Sequence, residues 1–129
     1  MKILLDTHIW LWYLQGNEKL SEKLQYAIGD ENNDLWLSPI SIWETIMLVE
    51  KNRINIDGDV EKWINSALQT LQVIEAKLNH NIAILSRKIQ LPHHDPADRF
   101  IGATAIYYGL ILATVDRNLI SCPEIKTIS

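Results

Sequence analysis

Residues 93–116 read His-His-Asp-Pro-Ala-Asp-Arg-Phe-Ile-Gly-Ala-Thr-Ala-Ile-Tyr-Tyr-Gly-Leu-Ile-Leu-Ala-Thr-Val-Asp. The order is that of a helix start, a buried helix, a stop, and a buried strand ending on a carboxylate. Asp95 suits the N-cap, Pro96 the first helical position and Asp98 the first turn. Ile101, Ala105 and Tyr108 fall on one apolar stripe, widened by Ala103, Ile106 and Tyr107. Gly109 suits the left-handed residue that closes a helix. Residues 110–115 are short-chained, apolar and partly branched, the composition of a strand covered on both faces. The stretch sets one carboxylate, Asp98, at a helix start and another, Asp116, at a strand end.

Working outward, the same alternation fills the chain. Residues 2–5 form an apolar run that stops at Asp6, a buried first strand. Residues 7–14 follow with Trp10, Trp12 and Tyr13 among Ile9, Leu11 and Leu14. Such a helix is apolar nearly all round, so it belongs in the core or at an interface. Ser21 can cap a short helix over residues 22–28, and a polar loop leads to a second strand at residues 35–37. Ser38-Pro39 starts a helix with Glu44 in its early turns, flanked by Ile42, Trp43 and Ile46. Asp57 or Asp59 caps a helix over residues 60–71, and residues 73–74 make a brief third strand. A helix over residues 78–89, one helical turn at 117–120 and an edge strand at 125–128 complete the set. Short buried strands alternating with amphipathic helices predict an α/β fold, with a mostly parallel sheet between helix layers. In such sheets ligands gather beyond the carboxyl ends of the strands, where Asp6 and Asp116 both fall.

The 129 residues suit one domain over the whole length, 1–129, with one core. A hydrophobic content of 47% with 22% charged residues fits a soluble globular chain. Lys2 is followed by only three apolar residues before Asp6, which is not a signal peptide, and no run approaches membrane-spanning length. Cys122 is the only cysteine, so no internal disulfide forms and a reducing cytoplasm is the expectation. The net charge of −4 argues against a tight, sequence-blind nucleic-acid binder, but not against an enzyme that holds a nucleic acid at one site.

Three chemistries compete for the acids. Each acid can act locally, as a cap, a turn residue or a surface charge; Asp95 before Pro96 is the plainest case. Alternatively, carboxylates converging without His or Cys ligands suit a hard divalent cation such as Mg²⁺ or Mn²⁺. Like charges a few Å apart repel by on the order of several kcal/mol, so such a cluster either shares a proton or holds a cation. Thirdly, His94-Asp95 is similar to the His-Asp pair of metal-dependent phosphohydrolases, with His93 as a further ligand type. Those folds are helical, and His8 and His80 lack matching spacing. There is no glycine-rich phosphate loop.

Four motifs in order carry a resemblance: Asp6-Thr7-His8 after a strand, Ser38 with Glu44 six residues on, the run from His93 to Ala105, and Leu112-Ala-Thr-Val-Asp116. Together they resemble a PIN domain, and more narrowly the VapC-type toxins of toxin–antitoxin pairs. The resemblance implies a three-layer Rossmann-like α/β/α fold with a sheet of four to five strands and a Mg²⁺- or Mn²⁺-dependent endoribonuclease. It implies metal ligation by Asp6, Glu44, Asp98 and Asp116, with Thr114 orienting a ligand or water. Its mechanism is hydrolysis of an RNA phosphodiester by a water presented in line to phosphorus. Asp95 is then cap first and outer neighbour second; Arg99 and Arg117 flank two of the acids, as phosphate contacts or as solvated ion-pair partners. Ser38 and His8 stand near as supporting polar groups, His8 packed or hydrogen-bonded near Asp6. An antitoxin partner and a homodimer are implied in the same way. A contrasting function is a catalytically silent protein-binding module, suggested by the Trp-rich first helix and the acidic balance.

Overall fold

Strand β1 (Lys2–Leu5) is the centre of the molecule. The computed structural model describes residues 1–92 and 94–129; the expectation for His93 falls outside them. The chain continues through α1 (Thr7–Gln15), α2 (Glu22–Gly29), β2 (Asp34–Leu37), α3 (Pro39–Glu50), α4 (Val60–Thr70) and β3 (Ile74–Glu75). It then forms α5 (His80–Lys88), α6 (Pro96–Tyr108), β4 (Ile111–Ala113), α7 (Arg117–Ile120) and β5 (Thr127–Ile128). The strands pair in the order β3-β2-β1-β4-β5, and every pairing is parallel.

The pleat of β1 sorts the core into two layers. Ile3 and Leu5 face one side with Trp10, Leu24, Leu35, Leu48 and Ala67, contributed by α1 to α4 and β2. Leu4 faces the other side with Ile89, Ile101, Leu112, Leu119 and Ile125, beneath α5 to α7. This is the expected three-layer α/β/α arrangement, with the sheet wholly parallel. Among the described residues no helix is long and apolar enough to cross a membrane.

Local signals set most boundaries. Asp95 caps α6, with its Oδ1 accepting from the amides of Ala97 at 3.0 Å and Asp98 at 3.4 Å. Gly109 closes the helix at φ 66°, where a side chain would be strained. Ser21 and Asp59 cap α2 and α4. Gly102, inside α6, lets the helix close on its neighbours: a Cβ there would stand 2.9 Å from Ile89 Cδ1 and 3.0 Å from Ile125 Cδ1.

The departures are at the edges. The third strand is Ile74–Glu75 rather than 73–74, and both residues are exposed, so no burial pattern marked it. The final strand shrinks to Thr127–Ile128, and the fourth to Ile111–Ala113. Tyr107, expected on the apolar stripe of α6, is 44% exposed and packs edge-on against Tyr108, with ring centroids 5.0 Å apart.

Candidate functional site

The sheet order reverses at β1, whose neighbours lead to β2 on one side and to β4 on the other. A parallel sheet opens a crevice at such a point, beyond the carboxyl ends of the strands. Asp6 leaves β1 there, its amide still donating to Ala113 O at 3.0 Å. Thr114, Val115 and Asp116 leave β4 beside it. A cavity of ≈ 330 Å³ lies at this place, and five carboxylates line it: Asp6, Glu44, Asp95, Asp98 and Asp116. His8, Trp12 and Val115 complete its wall.

Three of the five acids are helix caps. Asp6 caps α1, with Oδ1 accepting the Thr7 amide at 2.8 Å. Asp95 caps α6 and Asp116 caps α7, where Asp116 Oδ1 accepts from Asn118 at 2.9 Å and Leu119 at 3.1 Å. The N-termini of α1 and α6 turn their positive ends toward the cavity, which eases the crowding of negative charge. Glu44 reaches the cavity from the second turn of α3, and Asp98 from the first turn of α6.

Asp6 is the best-held of the set. It is buried, and its second oxygen, Oδ2, accepts the Thr114 hydroxyl at 2.6 Å. The same hydroxyl accepts the Asp116 amide at 3.0 Å. Thr7 and Ser41, both buried, share a hydroxyl hydrogen bond of 2.9 Å between α1 and α3.

The electrostatics reflect the crowding. Burial raises the Asp6 carboxyl above the usual carboxylate range, opposed by the Thr114 and Thr7 hydrogen bonds and by His8, and reinforced by Asp116. Burial raises Glu44 as well; the Thr7 hydroxyl and His8 oppose the rise, while Asp6 and Asp95 add to it. Asp98 is pushed up to about 8, by burial first and then by the charges of Asp6, Asp95, Asp116 and Glu44. Every other acid of the cavity acts on Asp98 in the same direction.

This donor set suits a hard divalent cation: the acids offer oxygen only, the sole cysteine is buried in the core layer beneath α5 to α7 and does not line the cavity, and the acids' mutual repulsion is relieved by positive charge. Among the described residues, no three His, Cys, Asp or Glu groups are already drawn into a ligating arrangement. The acids face one space without yet closing on a point.

The remaining candidates are placed differently. Arg99 is not among the residues that line the cavity. It is buried, and its guanidinium donates to the backbone carbonyls of Ser86 at 3.0 Å, Ile89 at 3.1 Å and Leu91 at 3.2 Å. The expectation of a solvated side chain is corrected: Arg99 is buried, and those carbonyls lie at and just beyond the end of α5, where helical partners run out. Arg117 is exposed at the first position of α7. Ser38 is buried and caps α3, accepting the Ile40 amide at 3.1 Å, outside the acid cavity. His8 is exposed rather than packed, and His94 lies exposed in the loop before α6. The Trp-rich α1 is not one exposed face: Trp10 is fully buried against Trp63, while Trp12 is half-buried on the cavity wall. Sequence reasoning missed Thr7 and gave Trp12 no place at the site. A signal for Trp12 was available in the spacing, since residues 8 and 12, four apart, share one face of α1.

Comparison with known proteins agrees with this architecture. The model of the PIN domain family matches residues 3–124. Ribonuclease VapC22 of Mycobacterium tuberculosis (strain ATCC 25618 / H37Rv) is 31% identical over 120 residues, covering 91% of this chain and 88% of that protein. The crystal structure of VapBC2 from Rickettsia felis, bound to a DNA fragment from its promoter, superposes with a TM-score of 0.72 at 17% identity, covering 99% of this chain and 98% of that one. A toxin-antitoxin complex from Klebsiella pneumoniae gives 0.62 at 21% identity, covering 98% and 96%. At such identities the solved structures speak for the fold alone. The family match over nearly the whole chain, on a parallel sheet with its acids gathered at the β1/β4 crevice, places this chain in the PIN domain family.

Proposed function

We propose that the protein is a Mg²⁺- or Mn²⁺-dependent endoribonuclease, the toxin of a toxin–antitoxin pair, acting in the cytoplasm. The observation that carries this reading is the meeting of Asp6, Glu44, Asp98 and Asp116 in one cavity, although they are far apart in the chain. The ribonuclease similar to this chain over nine-tenths of its length supports the activity. A solved toxin-antitoxin complex of the same fold supports the kind of partner.

Asp6, Glu44, Asp98 and Asp116 would hold the ion, because each is a carboxylate that lines the cavity. When bound, such an ion lowers the pKa of a water and stabilises charge on a phosphoryl oxygen. Thr114 fixes the Asp6 carboxylate by its hydroxyl and ties it to the start of α7. Asp95 holds the first turn of α6 in place and so sets the direction of Asp98. Val115 and Trp12 add apolar surface to the cavity wall. A homodimer belongs to the same reading, and sedimentation of the purified protein tests it.

Cleavage of structured RNA by the purified protein, with Mn²⁺ and then with EDTA, tests the activity. Asp6→Asn and Asp98→Asn should each abolish metal-dependent cleavage while circular dichroism stays native. Cleavage undiminished by EDTA, or retained in both variants, contradicts the reading. A tight complex with an antitoxin and no cleavage of any RNA would favour a protein-binding module instead.

A further inference from the structure

Helix α1 does more than present Asp6. His8 and Trp12 are four residues apart on one face of it, with ring centroids 6.1 Å apart and planes tilted by 58°. Both line the acid cavity. The chain then reverses at Gly16, whose φ of 61° permits the turn, and the Asn17 amide returns to Trp12 O at 2.9 Å. Asn17 Oδ1 in turn accepts the Lys19 amide at 2.9 Å. This brings Lys19 Nζ to 5.9 Å from the centre of the Trp12 ring. A half-buried indole thus stands at the rim of the acids with a cation beside it.

A core role explains the inner part of Trp12, packed against the first core layer; its outer part lines the acid cavity, with Lys19 Nζ near the ring. A nucleic acid approaching this site meets net negative charge, so phosphate contacts give little of the attraction. Base stacking is free of that penalty, and an indole accepts any base face. Single-stranded RNA offers unstacked bases for such a platform. Helical rise carries Trp12 roughly 9 Å from Asp6 along α1, within reach of a nucleotide adjoining the one held at the acids.

We propose that Trp12, backed by Lys19, is the stacking platform for one unpaired RNA base next to the scissile phosphate. This rests on the ribonuclease reading above and gives its substrate class, a single-stranded segment. With no hydrogen-bonding group on the ring face, the platform grips a base without choosing its identity.

The test is a walk of single abasic riboses along a short fluorescein-labelled single-stranded RNA, cleaved by the full-length protein with Mn²⁺. In the native protein, one abasic position flanking the cut should raise KM about tenfold, with kcat little changed. Trp12→Leu should show that rise on intact RNA and be indifferent to the abasic site; Trp12→Phe should restore most of the affinity. If Trp12→Leu does not fold, the exposed Lys19→Gln variant replaces it, with KM up two- to threefold on intact RNA only. Unchanged KM on intact RNA in the folded variant, or an abasic effect of full size in a folded Trp12→Leu, overturns the platform while leaving the nuclease intact. A loss confined to antitoxin binding overturns it in favour of a protein contact. If the native protein neither cuts nor binds any RNA, the ribonuclease reading falls and the platform with it.

Discussion

The Thr114 hydroxyl donates to Asp6 Oδ2 at 2.6 Å across 108 positions of sequence. It joins the ends of two neighbouring strands and favours the charged form of a carboxyl whose pKa burial raises. Thr114→Val keeps the shape and removes the donor. A hydrogen bond to a charged group contributes about 1.5–3 kcal/mol, so the metal-free variant should lose that much at pH 8. Without the donor the Asp6 carboxyl moves further up, so the loss should shrink as acid protonates it. Urea denaturation in EDTA at pH 8 and pH 5 checks this; Thr114→Ser should behave as the parent. A loss independent of pH would contradict a bond to an ionised Asp6.

Asp98 makes the metal-free protein sensitive to alkali. Its carboxyl is raised from 3.8 to about 8 in the fold. The folded state therefore holds the proton more tightly than the unfolded chain. Stability from this group is fully present below about pH 4, falls as pH rises through the window to about 8, and stays low above it. Asp98→Asn should flatten that slope and raise metal-free stability at pH 8 by about 1–3 kcal/mol, less than the whole shift because solvent and neighbours screen the cluster. Thermal melts in EDTA from pH 5 to 9 check the prediction. Added Mn²⁺ should raise the melting temperature of the parent and barely move the variant.

Arg99 should prove structural. Its fork closes the three carbonyls around the end of α5 and so pins the start of α6, where Asp95 and Asp98 sit. Arg99→Met removes the donor to all three carbonyls, leaving Ile89 O only the Leu91 amide, and should destabilise by about 3–5 kcal/mol. Arg99→Lys retains charge but loses the planar fork, and should recover only part. Urea midpoints of the two variants measure this. Full stability in Arg99→Met, with weakened RNA binding, would restore the phosphate contact.

The motif from Asp95 to Asp116 was legible because each of its signals is local: a cap, a proline, a glycine and an apolar run act within a few residues. The parallel sheet and the place of Asp6 and Asp116 followed from the same alternation. Arg99 was not legible, because its partners are carbonyls 8 to 13 residues away that only tertiary packing brings near. Helix α1 hid the division of labour between Trp10 and Trp12, since a helix apolar all round does not say which side meets the sheet. Strand β3 was displaced by one residue because both of its side chains are exposed at the sheet edge.

The central claim is that residues 6, 44, 98 and 116 share one divalent ion. Crystals soaked in Mn²⁺ and recorded at the manganese absorption edge test it directly. The account predicts anomalous density in the cavity between Asp6, Glu44, Asp98 and Asp116, lost in Asp98→Asn. Density only elsewhere, or none at millimolar Mn²⁺, would contradict it.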